Sequence, residues 1–493
     1  SSFLLLHIIS FMKFKHSILI VIISVLFIGT NLFATPNSKW TLQACVQYAI
    51  DHNIQIKQSE LNKRLQSLTF QQSQLAQLPN FNTGTNYGRS FGRSVDPTSN
   101  QFVNGSYDFL NLSGNADVLL FGWFQKRSLI QKNQHLVVAA QMDYDQLKDD
   151  ISLNIATGYL RALLAYEQLG IAEKQVDFSL KQYQQSISFE QAGRLTSLNV
   201  AQWHAQLAND SVAYIAALNE VGNSLIDMKV LMNLDFTEPF ALDIPSLDFN
   251  VATILSAQHP QAVFEAALQH VGTVKSAQQK ELAAFKNLKY ARSLLLPQFT
   301  LSAQLGSTYA TSYKQVSDVS ISGTSVTPYL VSINNVDYPV LTPKYNYTST
   351  VIPFNTQVDN NFRQTIAFSA TIPLFNAFQS RTAVQQSKIA VQQQHLLVDA
   401  AQVKLKQDVY KAYQDAKQAI LKYNASSIAH QASQSAFEIA KKRYDLGLIN
   451  TVEYLNTQNA AFKANGTMLI AKYELLFKTK IIDYYLGNKI ELH

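Results

Sequence analysis

The segment Leu120-Phe121-Gly122-Trp123-Phe124-Gln125-Lys126-Arg127 returns, 254 positions later, as Leu374-Phe375-Asn376-Ala377-Phe378-Gln379-Ser380-Arg381. The offset persists downstream. Tyr159, Ala162 and Ala165 return as Tyr413, Ala416 and Ala419, and Gly193 returns as Gly447. Upstream the copies match again at an offset of 218: Pro79, Phe81 and Gly88 against Pro297, Phe299 and Gly306. The second copy therefore carries 36 extra residues between its proline and its Leu-Phe motif. A unit repeated once in a chain without catalytic signatures points to a ring, tube or array.

Each repeated junction separates two kinds of sequence. Before it the period is two. Phe81, Thr83, Thr85 and Tyr87 alternate with Asn82, Gly84, Asn86 and Gly88, and Leu110, Leu112, Ala116, Val118 and Leu120 with Asn111, Ser113, Asn115 and Asp117. The second copy repeats this in Phe299, Leu301, Ala303 and Leu305, and again in Ile366, Phe368, Ala370 and Ile372. Strands of about ten residues with one apolar and one wholly polar face suit a membrane barrel, lipid outside and water inside. Four strands make no sandwich of useful size, and they cannot close a barrel alone, so oligomerisation is required.

After each junction the period becomes helical. From about Phe124 to Glu190 there is no proline and little glycine. The seam Tyr144, Leu147, Ile151, Ile155, Gly158, Ala162, Ala165, Leu169 steps by three and four, as does Val398, Ala401, Leu405, Val409, Ala412, Ala416, Ala419, Tyr423. Such seams describe close, coiled-coil-like helix packing. A helix of this span is roughly 100 Å long, a strut rather than part of a globular core. Gly193 and Gly447 mark αL stops. Return helices then start near Ser197 and Asn450, with Asn450 and Glu453 at capping-box spacing. Single helices are expected over Trp40–Leu78 and Gln261–Leu296, each ended by proline.

These readings divide the chain into residues 1–34 (upstream residues and a secretory signal), 35–235 (first repeat), 236–259 (linker) and 260–493 (second repeat). In the signal, Lys13, Lys15 and His16 precede an apolar run from Ser17 to Gly29, with Ala34 closing a plausible cleavage site and Met12 as the expected start. The insertion falls in the loop from about Thr311 to Asn361. That loop joins two strands at the end opposite the helices, so it is expected to face the exterior and to fold partly on itself.

Composition narrows the function. Only 15% of residues are charged, against about 25% in typical soluble domains. Mean hydropathy of −0.05 excludes a helical membrane protein with many spans. The net charge of +6 is scattered, without the basic stripe of a nucleic-acid binder. The lone Cys45 permits no internal disulfide, and the ten histidines lack ligand spacing, so neither metal nor cofactor is expected. No phosphate loop or nucleophile–base signature is present, so the chain is read as a non-enzyme.

In order and in duplicate, these motifs resemble the TolC-like outer membrane efflux protein family. The resemblance runs from Trp40-Thr41-Leu42 through Leu78-Pro79, Leu296-Pro297, the two Leu-Phe junctions and the two glycine tips. It implies a mainly α-helical homotrimer. Each protomer would give four strands to a 12-stranded outer-membrane β-barrel seated on a long α-helical periplasmic tube. It implies a passive duct in a Gram-negative envelope, fed by an inner-membrane pump through a periplasmic adaptor. The adaptor would dock on Ala192, Gly193, Arg194, Leu195, Leu446, Gly447, Leu448 and Ile449. The periplasmic gate would involve Tyr444, at a gate-tyrosine position, and Glu453, at an acidic one. Asn456 stands where the family has a second acid, and Ile449 where it has an arginine, so the closing network is carried over only in part. For Glu453 a capping role competes with a gate role. The alternative is a coiled-coil scaffold of the cell envelope, which would have no use for two matched pairs of amphipathic strands.

Overall fold

A computed structural model describes residues 39–95, 102–244 and 259–488. The expected signal, and most of the linker that follows Ile244, lie outside these residues. The first copy comprises α1 (Leu42–His52), α2 (Ile54–Leu75), β1 (Asn80–Val95), β2 (Phe102–Phe121), α3 (Gln125–Gln191) and α4 (Ser197–Met232). The second comprises α5 (Pro260–His270), α6 (Gly272–Ser293), β3 (Gln298–Ala310), β4 (Lys314–Ile333), β5 (Val336–Val351), α7 (Phe354–Asn360), β6 (Arg363–Thr371), α8 (Gln379–Asp445) and α9 (Thr451–Tyr485).

The long helices α3 and α8 have 67 residues each, so each is roughly 100 Å long. Both begin from the same unusual backbone. Trp123 and Phe124 have φ of 52° and 61°, and Ala377 and Phe378 have 49° and 61°. Positive φ costs a residue with a Cβ, so the repetition of the pair marks a turn that the strand-to-strut transition demands. Phe121, Trp123 and Phe124 cluster there, and the Trp123 indole donates to the Pro297 carbonyl at 3.0 Å.

The two shorter ascending helices differ from expectation: each is broken. The first divides at Asn53 (φ −63°, ψ 128°), the second at Val271 (φ −67°, ψ 120°), 218 residues apart. Asn53 is the N-cap of the new helix, its side chain accepting from Gln55 and Ile56 N–H. At the second break the Gly272 N–H donates to Gln146 Oε1 of α3 at 2.8 Å. Side chains thus take over the backbone groups that each break frees. The pieces are 11 and 22 residues in both copies.

The core lies where these breaks meet the struts. In the first copy Cys45, Ile56, Ile155, Tyr159, Leu163, Met228 and Met232 are buried together. In the second, Val263, Val271, Val409, Ala416 and Ile482 take the corresponding place. Burial pushes the Cys45 thiol up to about 12, so it is an inert core group. Tyr159 donates to the Asp243 carbonyl, tying the strut to the segment in which Trp40 bridges Leu242 in parallel.

The sheet has the order β1-β2-β3-β6, antiparallel throughout. Its register aligns like with like across all four strands. Phe81, Ala116, Ala303 and Ile366 form one row, and the adjoining row is Asn82, Asn115, Gln304 and Thr365. One face is therefore apolar and open, with Phe81, Phe368 and Ile366 exposed, and the other is polar. β1 and β6 each have one neighbour in this sheet. The expected loop after β3 contains a second antiparallel pair, β4–β5, and the short helix α7.

Close approach makes Gly272 a sensitive position. A Cβ there would stand 2.7 Å from the Met142 carbonyl oxygen of α3, whereas one at Gly170 would meet nothing within 4 Å. Gly272→Ala should force α6 away from α3 and cost about 1–3 kcal/mol. Gly170→Ala should be neutral or stabilise by about 0.5–1 kcal/mol. Thermal melting of the two variants in detergent checks this; equal melting temperatures would refute the tight contact.

Candidate functional site

The end of the molecule farthest from the sheet holds two turns of the same form. After α3, Gly193 has φ 71°, its N–H donates to Glu190 O, and the Arg194 N–H reaches back to Phe189 O at 2.8 Å. After α8, Gly447 has φ 70°, its N–H donates to Tyr444 O, and the Leu448 N–H reaches Arg443 O at 2.8 Å. The six-to-one bond closing each turn needs an αL residue, which glycine supplies at the lowest cost. Ala192, Gly193 and Arg194 are exposed, as are Leu446, Gly447 and Leu448; Leu195 is half-buried. Arg194 lies over the Phe189 ring, 4.7 Å from its centroid. Leu446 and Leu448 are 74% and 64% exposed, an apolar pair presented outward beside the glycine. Ile449 is placed differently. It is buried beneath the turn with Trp203, Ala440, Tyr454 and Leu455.

Behind the turns stands an aromatic wedge drawn from three helices. Tyr444 stacks on Tyr454, with centroids 4.5 Å apart and planes 5° from parallel. Phe437 stacks on the same Tyr454 ring, and Trp203 meets it edge-on. Trp203 is fully buried; its indole N–H donates to the Tyr444 hydroxyl at 3.3 Å. The same hydroxyl shares a 3.3 Å hydrogen bond with Thr451 Oγ1, which also accepts from Asn199 Nδ2. Tyr444 thereby couples α8 to α9 and, through Trp203, to α4 within one protomer. Trp203, Asn199, Phe437, Thr451 and Tyr454 are the residues that sequence reading missed. They lie at no shared spacing, and only the side-by-side packing of α4, α8 and α9 brings them together.

Glu453 and Asn456 are exposed, one turn apart on α9. The Glu453 N–H donates to Asn450 Oδ1 at 2.9 Å, so the cap bond is present, while the Glu453 carboxylate remains at the surface. In the first copy the reciprocal bond of a capping box is made as well: Asn199 Oδ1 accepts from the Thr196 N–H and, at 2.6 Å, from its hydroxyl.

About 20 Å above the tip, at 1.5 Å per residue along α4, Asp210 is buried between α3 and α4. Its Oδ1 accepts from Gln175 Nε2 and Gln206 Nε2, each at 2.8 Å. Gln206 also bonds Asn459 of α9. Burial pushes the Asp210 carboxyl above its ordinary value, and the interactions with Ser179, Gln206 and Gln175 only partly offset this.

An amphipathic sheet with a polar row across every strand, continued by paired struts, defines one sector of a membrane barrel on a helical tube: a channel protein. Residues 45–234 and 263–487 match the family "Outer membrane efflux protein", and the chain belongs to that family. Its members are channels of the Gram-negative outer membrane, not enzymes. The chain is 25% identical over 235 residues to the pyoverdine export outer membrane protein OpmQ of Pseudomonas putida, covering 45% of this chain and 46% of that one. It is 23% identical over 270 residues to the toluene efflux pump outer membrane protein TtgF of Pseudomonas putida, covering 54% of each. The chain thus spans about half the length of the curated relatives it matches. The fold is shared more fully. Against the outer membrane protein VceC of Vibrio cholerae the TM-score is 0.70 at 14% identity, over 91% of this chain and 97% of that one. Against the Campylobacter jejuni CmeC outer membrane channel it is 0.68 at 17%, over 90% and 85%.

Asp210 gives a pH dependence with a fixed sign. Its folded pKa is raised, so well below the ordinary carboxylate range both states are protonated and it contributes nothing. As pH rises through that range the unfolded chain releases the proton while the folded chain resists, and stability falls until the folded group has ionised. Asp210→Asn keeps an oxygen for both glutamines and removes the charge. The variant should melt higher than the parent near pH 7, with the gain vanishing near pH 3. An equal shift at both pH values would show that Asp210 acts only through packing.

Proposed function

We propose that three copies of this chain form a passive export duct. Their twelve strands would close one barrel, and their helices one tube leading from a pump-bound adaptor to the exterior. The observation that carries this reading is a pair of unpartnered apolar seams. On α2, Ile54, Leu61, Leu68 and Leu75 are spaced by seven and are all exposed. On α8, Ile389, Leu396, Val403 and Tyr410 have the same spacing and are also exposed. A seven-residue apolar repeat is the sequence form of a coiled-coil contact. The seams lie on the helix that enters β1 and the helix that leaves β6, so they adjoin the two open edges of the sheet. A neighbouring copy that pairs β6 with β1 would also bring α8 onto α2. Four strands per copy make twelve when three copies close, enough for a water-filled lumen lined by the polar rows.

Energy would come from elsewhere, since the site residues offer shape and docking rather than chemistry. The exposed leucines beside Gly447 and the open turn at Gly193 suit the docking of a periplasmic adaptor's helical hairpin. The cargo class of the named relatives, small organic molecules, is the one we assign here. Glu453, repeated three times near the axis, would form a ring at the periplasmic constriction.

Docking and assembly are separated by one experiment. Gly193→Val and Gly447→Val place a β-branched residue at φ near +70°, straining each tip by about 1 kcal/mol or more. The expected result is loss of export with the trimer mass in mild detergent unchanged. Export that survives both changes removes the tips as the docking surface. A monodisperse, folded monomer of the parent chain would sink the trimer.

The gate has its own test. Three like charges at one constriction favour cations over anions. Glu453→Gln should weaken cation selectivity and multivalent-cation block in single-channel recordings, with trimer melting nearly unchanged. Lower stability with unaltered selectivity would make Glu453 a helix cap only.

A further inference from the structure

The inserted segment is not a loose loop. β4 and β5 form one long ribbon, turned by Asn334 and Asn335, both at positive φ as a tight hairpin turn requires. Its base is fixed to the barrel sheet. β6 pairs with β3 only as far as Gly306, and Gln357 of α7 serves the edge beyond it. The buried Gln357 side chain accepts from Ala310 N–H and donates to the carbonyls of Ala310 and Ile352. Asn361 adds a 2.7 Å bond to Thr308 O.

Above that base the ribbon is two-faced. Val319 pairs with Tyr347, Ile321 with Tyr345 and Val326 with Leu341, and these six share one face. Over this half the opposite face carries Asp318 with Thr348, Ser320 with Asn346, and Ser325 with Thr342; nearer the turn that opposite face also holds the apolar pairs Val331 with Tyr338 and Ile333 with Val336. All six residues of the first face are exposed, Ile321 and Val326 by 66% each. Soluble surfaces rarely present contiguous apolar patches beyond a few hundred Å², and an isolated two-stranded ribbon is marginal in water. Something must cover this face.

We propose that the cover is the same face of the hairpins from neighbouring copies, so that three ribbons pack together beyond the barrel as a second intersubunit contact. The inference rests on the trimeric reading above, and four observations select this occupant. The ribbon springs from β3 and from the segment leading into β6, the strand whose open edge faces the next copy. Its base is rigid, so copies related by rotation present their faces in register. Two lysines and two aspartates leave Lys314–Val351 without net charge, so copies do not repel and no charged partner is matched. At about 3.3 Å per residue the 20-residue β4 spans roughly 65 Å, twice the hydrocarbon thickness that β3 and β6 already cross, so lipid tails cannot cover it. Edge pairing is disfavoured, because Pro328, Pro339, Pro343 and three register shifts interrupt both strands. The contact is therefore face to face.

The test uses the full-length chain, whose native Cys45 is buried. Ser320→Cys places a thiol on the polar face; Ile321→Cys and, separately, Tyr345→Cys place one on the apolar face. In purified trimers a polar maleimide should label both apolar-face thiols roughly tenfold more slowly than Cys at 320, the protection expected of a contact that must open first. Dissociating the trimer should equalise the rates. Equal rates within a particle of trimer mass overturn the proposal while leaving the trimer intact. Protection in cells that disappears in purified trimers assigns the face to another envelope component and also overturns it. A particle of monomer mass would instead sink the trimeric reading itself.

Discussion

Everything in this molecule answers to the two open edges of its sheet. Inside a bilayer an unpaired backbone N–H or C=O has no water to bond, and each costs several kcal/mol. β1 and β6 each leave one row of such groups without a partner in this sheet. The apolar face, with Phe81, Ile366 and Phe368 exposed, suits lipid, so those rows call for strands beyond the four of this sheet, as the proposed trimer would supply. The exposed heptad seams of α2 and α8 extend the same demand along the helices. A protomer of this kind is unfinished by construction.

The duplication explains how so long a structure stays regular. Both copies break their ascending helix at the same place, start the strut from the same pair of positive-φ residues, and stop it with the same glycine turn. The copies are not interchangeable, however. α6 of the second copy lies between the two struts, bonded to α3 through Lys280 and Asp143 and to α8 through Glu281 and His395. The single chain therefore joins its repeats along the struts as well as through the β2–β3 pairing and at the tip.

At the tip, stability and exposure are divided between layers. Trp203, Tyr454 and Ile449, with half-buried Tyr444 against them, form the inner layer, where truncating Trp203 would cost about 3–5 kcal/mol. Leu446, Leu448 and Arg194 form the outer one. A turn fixed from beneath can present side chains to a partner without losing its own shape. Burial of Ile449 suits an apolar residue at this position: an unpaired guanidinium beneath the turn would be costly.

Periodicity is local, so the sequence by itself determined the amphipathic strands, the two struts, their glycine ends and the repeat. The alternation at Phe81–Gly88 and the 254-residue offset need no knowledge of any distant contact. The helix breaks at Asn53 and Val271 were not legible. Asn53 reads as an ordinary polar residue until its side chain is seen capping Gln55 and Ile56, and Val271 yields because Gln146, 126 residues away from Gly272, claims the next N–H. The aromatic wedge behind the tip was hidden for the same reason: Trp203 and Tyr444 are 241 residues apart. The inserted segment was readable as a loop able to fold partly on itself, but not as a long hairpin that is two-faced near its base, because three register shifts disrupt its alternation. Single-element periods survive in the chain's own order, whereas contacts between elements exist only once the tertiary structure has set the helices and strands side by side.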